Sequence, residues 1–533
     1  MIICSILILL LLTAAIPGKL KNNSYISTIV DNTQLILCGV LFITQIINFI
    51  TLISDKPVVI TPFINQSISL YFDPLSTSMS ALIALLGGVI FQYSRTYLEG
   101  ENNRQKFLTN LVLTVLAAQL LVLSGSLIVF AVAWVLLGLL LHKLLLYYSE
   151  RPRAQLAARK KFVISRIGDA FLIVAIILLY NTFGTISFEG LYTVSVSKLS
   201  ETQIQTLPWA LLAILLASMC KSAQLPFHSW LPDTLEAPTP VSAIMHAGIV
   251  NGGGFIIIRL FPLFNLTPGI MTLMATVGLL TAAFGLIVMW GQTTVKKRLA
   301  WSTVSQMGFM FLECGMGAYS LAVVHMIAHG FYKAHAFLNS GTSSRFLNQK
   351  QQQVFHPLES IKLIIPPFVV AVAFTFIASK VWQTPFLESW KGGLLAYFIT
   401  ILALSLLIIQ DKKFSINSLL TKAAIFTIVF GIVILFEHTS DLILQTKLYQ
   451  ASLNLDQRGI TGVLVSFIAM MLATLVTIFS LSRNHPTLHK FQEKLITHAI
   501  NGFYLGLYAD RLTRLIWPVM KGKKSSEWSN QYE

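Results

Sequence analysis

The chain has 533 residues, 55% hydrophobic and 11% charged, against about 25% charged in soluble domains. That composition excludes a water-soluble enzyme and reads as an all-α polytopic membrane protein. The net charge of +16 does not point to nucleic acid, because most Lys and Arg fall in the tail and in the loops after odd-numbered apolar stretches, the pattern of the positive-inside rule.

Apolar stretches of spanning length, about 17–25 residues each, lie near 2–16, 34–54, 72–93, 107–122, 124–148, 162–182, 208–225, 240–260, 269–290, 299–316, 319–341, 363–380, 394–410, 421–437 and 459–482. They predict about fifteen transmembrane helices. The charge distribution places the basic loops and the C-terminus in the cytoplasm and the N-terminus outside. The chain divides into N-terminal helices (1–106), two repeats (107–262 and 263–410), C-terminal helices (411–482) and an amphipathic cytoplasmic tail (483–533). In that tail NGFYLGLYADRLTRLIWPVMKG suits a basic helix lying at the interface.

The run RPRAQLAARKK (151–161) reads as a basic loop held at the headgroups. Just beyond it, Arg166 and Asp169 stand three apart on one helical face and can pair. Lys221 follows the uncharged run WALLAILLASMC, and Pro226, Pro232, Pro238 and Pro240 come after it. An ammonium at that depth costs at least about 2.5 kcal/mol unless water or a partner reaches it. Helix-breaking prolines supply such a route, since non-helical backbone in a bilayer survives only where protein or a wet cavity satisfies it. His228 lies in the proline stretch as a candidate accessory group, and His246 follows it, ahead of Gly252, Gly253 and Gly254, which permit close helix approach or unwinding.

Glu313, in SQMGFMFLECGMG, is an isolated carboxylate in an apolar span. It is either protonated and packed or the counter-charge to the next helix. There HMIAHGFYKAHAFL sets His325, His329 and Lys333 at i, i+4 and i+8, stacked at about 6 Å per step. Imidazole both accepts and donates a proton, with a pKa near neutrality, and desolvation lets a buried lysine release its own. A proton can therefore pass along this face; His335 lies off it. Lys380, in IPPFVVAVAFTFIASKVWQTP, repeats the plan of a lysine among prolines, the sequence pointer to a repeat transporter. Cys4, Cys38, Cys220 and Cys314 are scattered without a CxxC pair, and no nucleotide-binding glycine motif appears. No metal, cofactor or covalent catalysis is expected in this chain.

Together FDPLS (72–76), KSAQLPFHSWLPDTLEAPTPVSAIMHAG (221–248), KKRLAWSTVSQMGFMF (296–311) and HMIAHGFYKAHAFL (325–338) resemble the proton-translocating antiporter-like subunits of complex I, membrane hydrogenases and Na⁺/H⁺ antiporters. The resemblance implies two inverted five-helix repeats, each with a broken helix, and a hydrated polar axis conducting H⁺ or Na⁺. By position, Lys221 and Lys380 match the two broken-helix lysines, His246 the histidine after the first, and His325, His329 and Lys333 the second-half relay. Complex I members carry a glutamate directly after the tryptophan of the fifth span, whereas here Val135 follows Trp134. That departure, with WVLLGLLLHKLLLYYSERPRAQLAARKKFVISRIGD and the NGFYLGLY tail, is similar to the NuoL-like branch known as DabB. Such a subunit of the bacterial inner membrane is implied to couple the proton-motive force to CO₂ and bicarbonate accumulation. Its implied partner is DabA, a cytoplasmic zinc protein resembling β-carbonic anhydrases, which would hold the zinc and do the catalysis.

Overall fold

The structure, a computed structural model, describes residues 2–16, 24–54, 58–60, 69–196, 199–341, 494 and 497–517. Lys380 and the four stretches expected from 363 onward lie outside the described residues.

The longer helices are α1 (Ile2–Ala15), α2 (Ser24–Ser54), α3 (Pro74–Tyr97), α4 (Arg104–Val122), α5 (Leu127–Leu145), α6 (Pro152–Phe183), α7 (Phe188–Val196), α8 (Glu201–Lys221), α9 (Thr239–Ala247), α10 (Gly252–Arg259), α11 (Pro268–Gly291), α12 (Val295–Gly315), α13 (Tyr319–Leu338) and α14 (Leu505–Ile516). Among the described residues eight helical stretches are long and apolar enough to cross a membrane, α9 and α10 counting as one. Among the described residues one small ribbon forms, Val58–Ile60 antiparallel to Leu70–Phe72 with Val59 opposite Tyr71, and isolated bridges join Leu70 to Ser124 and Ser126 to Ser187.

Burial orders the helices. The apolar stretch of Thr239–Arg259 is 94% buried and that of Tyr25–Leu52 only 22%, so α9 and α10 form the axis and α2 a peripheral helix. On α2, Ile36, Ile43, Ile47 and Ile50 face outward, as do Ile173, Val174 and Ile177 on α6. Apolar belts of that extent suit hydrocarbon rather than water.

One expectation changes, and one residue is new. The basic run 151–161 is not a loop: α6 starts at Pro152 and runs unbroken to Phe183, proline at the first helical position being preorganised for helix. Lys160 and Lys161 are consequently buried. Arg259, which sequence patterning did not single out, is 1% exposed. Its guanidinium donates to both oxygens of Asp73 at 2.5 and 3.1 Å. Asp73 also caps α3, accepting from the Ser76 amide at 2.8 Å while its own amide donates to Ser76 Oγ at 3.0 Å, a reciprocal pair that satisfies two backbone donors at the helix start.

Helices α11 and α12 meet along glycines. A Cβ on Gly308 would lie 2.7 Å from the Gly278 carbonyl oxygen, and one on Gly285 2.7 Å from the Ser305 amide nitrogen. Only small residues let two backbones approach so closely.

Basic residues gather at one end of the described bundle. This end holds Arg95, Arg104, Lys160, Lys296, Lys297 and Arg298, with Lys296 Nζ 2.8 Å from Thr239 Oγ1. The tail docks at this end. Its helix α14 turns Asp510 and Thr513 inward and leaves Leu505, Tyr508, Leu512 and Leu515 outward, so it rests on its polar side and presents its apolar one.

Candidate ion-translocation site

Two clusters of buried titratable groups lie inside the bundle. The first surrounds Trp134 on α5. Lys221 ends α8, and its Nζ donates to the Trp134 carbonyl at 3.2 Å and sits 4.4 Å from the centroid of that indole. Cation–π attraction of this kind contributes about 0.5–2 kcal/mol. Helical structure stops there and resumes as short turns over 227–236 before α9, so the lysine lies at a break. Lys161 Nζ donates to the Gly138 carbonyl at 2.6 Å. Arg166 and Asp169 form an ion pair at 2.7 Å, and Asp169, Arg166 and Lys161 all lie within electrostatic reach of Lys221. Asp169 on α6 also accepts from the Trp134 side chain, so a carboxylate reaches this cluster from α6 although Val135 follows Trp134 in sequence.

The second cluster follows α13. His325 and His329 have ring centroids 6.1 Å apart. Lys333, 0% exposed, donates to the Leu299 carbonyl at 3.0 Å and to Ser302 Oγ at 2.8 Å. Both partners lie on α12. At the other end Glu313, also on α12, accepts from or shares a proton with His325 Nδ1 at 3.0 and 3.1 Å. Glu313 is thus the partner of the histidine stripe, and it makes no contact with Lys221. From Lys333 to His325 the stripe covers about 12 Å along the helix axis.

His246 on α9 stands beside the second cluster. Its ring stacks on Phe337 of α13 at 4.4 Å, within electrostatic reach of Lys333 and His329. No hydrogen bond joins it to Lys221 among the described residues. Both nitrogens of His246 and of His329, with Asn251 Oδ1, Ser218 Oγ and Ser242 Oγ, are buried without a protein partner among the described residues. Buried polar atoms are nearly always satisfied, so these atoms are the places in the bundle where a bound water would find partners. His228 is buried beside Phe284 and Trp301, away from both clusters, and His335 faces outward.

The buried cations fall into two kinds. Arg259 and Lys160 have carboxylate partners, Asp73 for the first and Asp233 and Asp510 for the second. Lys221, Lys161 and Lys333 rest on neutral oxygens. A bundle of this form with amines held on carbonyls and hydroxyls defines an antiporter-like transmembrane subunit.

Sequence comparison agrees with that class. Residues 124–405 match the model described as NADH:quinone oxidoreductase/Mrp antiporter, TM, and residues 61–108 match the N-terminus of complex I chain 5. The chain belongs to the NADH:quinone oxidoreductase/Mrp antiporter family of membrane subunits. Within it, the chain is 33% identical over 468 residues to "Probable inorganic carbon transporter subunit DabB2" of Halothiobacillus neapolitanus (strain ATCC 23641 / c2), covering 86% of this chain and 82% of that protein. With "Probable inorganic carbon transporter subunit DabB1" of the same organism it shares 39% identity over 337 residues; the match spans 59% of this chain and 60% of that protein. The membrane-bound sulfane sulfur reductase, an archaeal respiratory membrane complex, contains a chain of the same fold, at TM-score 0.58 and 18% identity, covering 96% of this chain and 99% of that one.

Proposed function

We propose that this chain is a proton-conducting subunit of a bacterial inner membrane, with its basic end and tail in the cytoplasm and its N-terminus outside, and that it couples the proton-motive force to inorganic carbon accumulation. The observation carrying the conduit is the set of buried amines without salt-bridge partners among the described residues, Lys221 on the Trp134 carbonyl and Lys333 on Leu299 and Ser302. An amine locked to a carboxylate is costly to neutralise, because the carboxylate is then left as an unpaired buried charge. An amine on neutral acceptors leaves no such charge behind. Lys221 Nζ accepts and releases a proton at the helix break, His246 passes it toward α13, and Lys333, His329 and His325 carry it to Glu313. Ammonium and imidazolium groups carry protons and do not ligate Na⁺, which favours H⁺ as the ion.

The carbon role is supported by the DabB names of the relatives over most of the chain. In this reading a DabA-like cytoplasmic zinc protein hydrates CO₂ to bicarbonate, and proton flow through this chain drives that reaction in one direction. Two measurements test the proposal. Lys221→Ala and Lys333→Ala, each with the complex assembled, are expected to lower proton flux into vesicles by at least about tenfold and to abolish growth rescue at low CO₂. Unchanged flux in both removes the conduit. Purification in mild detergent is expected to bring down a zinc-containing carbonic-anhydrase-like protein; recovery instead with quinone-reductase or hydrogenase subunits makes the chain part of a redox pump.

A further inference from the structure

A polar cavity of about 140 Å³ lies outside both clusters, between the turns that follow Lys221, the start of α12 and the tail. Its inner wall is His228 and Ser229, 1% and 5% exposed; the His228 ring reaches the Pro226 carbonyl, and Ser229 Oγ has no protein partner among the described residues. Lys297 and Gln292 form a second wall. A cavity needs about 10–15 Å³ of this measure to hold one water, so this one has room for several, with buried polar atoms to bind them. Trp230 Nε1 donates to the Cys220 carbonyl at 3.1 Å, which ties the inner wall to the residue just before Lys221.

The outer wall is the tail. Residues 502–504 are left-handed, with φ of 58°, 51° and 62° at Gly502, Phe503 and Tyr504, and this bend turns the chain over the opening. Gln292 Nε2 reaches the Ala499 and Ile500 carbonyls at 3.4 and 3.3 Å, while a Cβ on Gly506 would come 3.7 Å from Ser229 Cβ. The tail is fastened by Lys160, which is clamped between Asp510 of α14 and Asp233 of the turns and is 1% exposed at its side chain. Trp517 adds a second hold, with Arg159 lying 5.2 Å above its ring. One buried lysine thus joins the tail to the segment that carries the inner wall.

We infer that this cavity is the cytoplasmic water portal through which protons reach the Lys221 break, and that the C-terminal helix, latched through Asp510 to Lys160, is its roof. The inference rests on the conduit reading, and the test below measures the cavity without measuring flux. Asp510 is a latch and takes no part in proton transfer. Breaking the latch loosens the roof and exposes Ser229; a side chain at position 506 closes the remaining gap.

The full-length chain in its native complex, carrying Ser229→Cys, is exposed to a small cationic methanethiosulfonate in inside-out and right-side-out membrane vesicles, the parent chain giving the background of its own cysteines. Ser229→Cys is expected to react from the cytoplasmic face alone. Adding Asp510→Asn raises the rate at least about fivefold, and adding Gly506→Leu, which a helix accepts readily, lowers it by a similar factor. Absence of reaction from either face, with and without Asp510→Asn, means a closed, dry space and overturns the portal. Reaction from the outer face only also overturns it. Equal rates in all three backgrounds overturn the roof. Assembly is checked for each variant by size-exclusion elution of the complex, and should Asp510→Asn fail to assemble, Gly506→Leu decides the outcome alone.

Discussion

Replacing Asp73 by Asn tests the division of buried cations into structural and conducting ones. Asn is nearly isosteric and caps helices as well as Asp does, so the amide bond at Ser76 survives and the change isolates one negative charge. Arg259 loses its counter-charge at 2.5 and 3.1 Å while remaining 1% exposed. At a mean separation near 2.8 Å and an effective dielectric of about 20, the lost attraction is about 6 kcal/mol, an upper bound because the Arg desolvation is already part of the folded state. Measured losses from removing one partner of a buried pair run about 3–5 kcal/mol. The guanidinium still lies 5.3 Å from the rings of Tyr71 and Phe255, which retain part of its stabilisation, so the lower end, about 3 kcal/mol, is expected. Thermal and urea unfolding of the detergent-solubilised protein, followed by tryptophan fluorescence, reads this as a midpoint several degrees lower. The double variant Asp73→Asn with Arg259→Met is expected to recover most of the loss, since no unpaired charge remains, and to keep proton flux near the parent value. A single variant within about 1 kcal/mol of the parent, or a double variant no better than the single, refutes the reasoning.

Glu313→Gln removes the carboxylate at the end of the α13 stripe and is expected to slow flux about tenfold, with Glu313→Asp intermediate; unchanged flux at every pH between 6 and about 9 would show that the pair with His325 only packs. Gly308→Val forces α11 and α12 apart against the Gly278 carbonyl and is expected to cost about 1–3 kcal/mol and to reduce flux by displacing Ser302 from Lys333, read by unfolding and vesicle assays together. Lys161→Met is expected to change the pH profile of flux while leaving the unfolding midpoint within a few degrees, because it removes a charge within reach of Lys221 and no salt bridge; a profile that overlays the parent's would take Lys161 out of the first cluster.

Local geometry was readable from the chain itself. The i, i+4 spacing sets His325 and His329 about 6 Å apart, and their rings are 6.1 Å apart; the prolines after Lys221 do mark a break in helix. The pairing of Glu313 with His325 depends on the tight Gly315–Ala318 turn that folds α12 against α13, and Gly317, at φ 78°, was the available signal. Pro152 was a second overlooked signal, since a proline opening a helix would have moved Lys160 and Lys161 from a loop into the bundle. Arg259 had no local signal: its partner is 186 residues away, and only the assembled bundle brings the two together. The placing of Asp169 within electrostatic reach of Lys221 was likewise a matter of which helices become neighbours.

The glycine seam between α11 and α12 bears on how the conduit moves. With the two backbones in direct contact at Gly278 and Gly308, they travel as one slab, and that slab carries the Leu299 carbonyl, Ser302 and Glu313. The acceptors at both ends of the stripe are therefore carried on one close-packed unit, so any change in the Lys333 and Glu313 contacts made by α13 sliding along it would shorten one end as it lengthened the other.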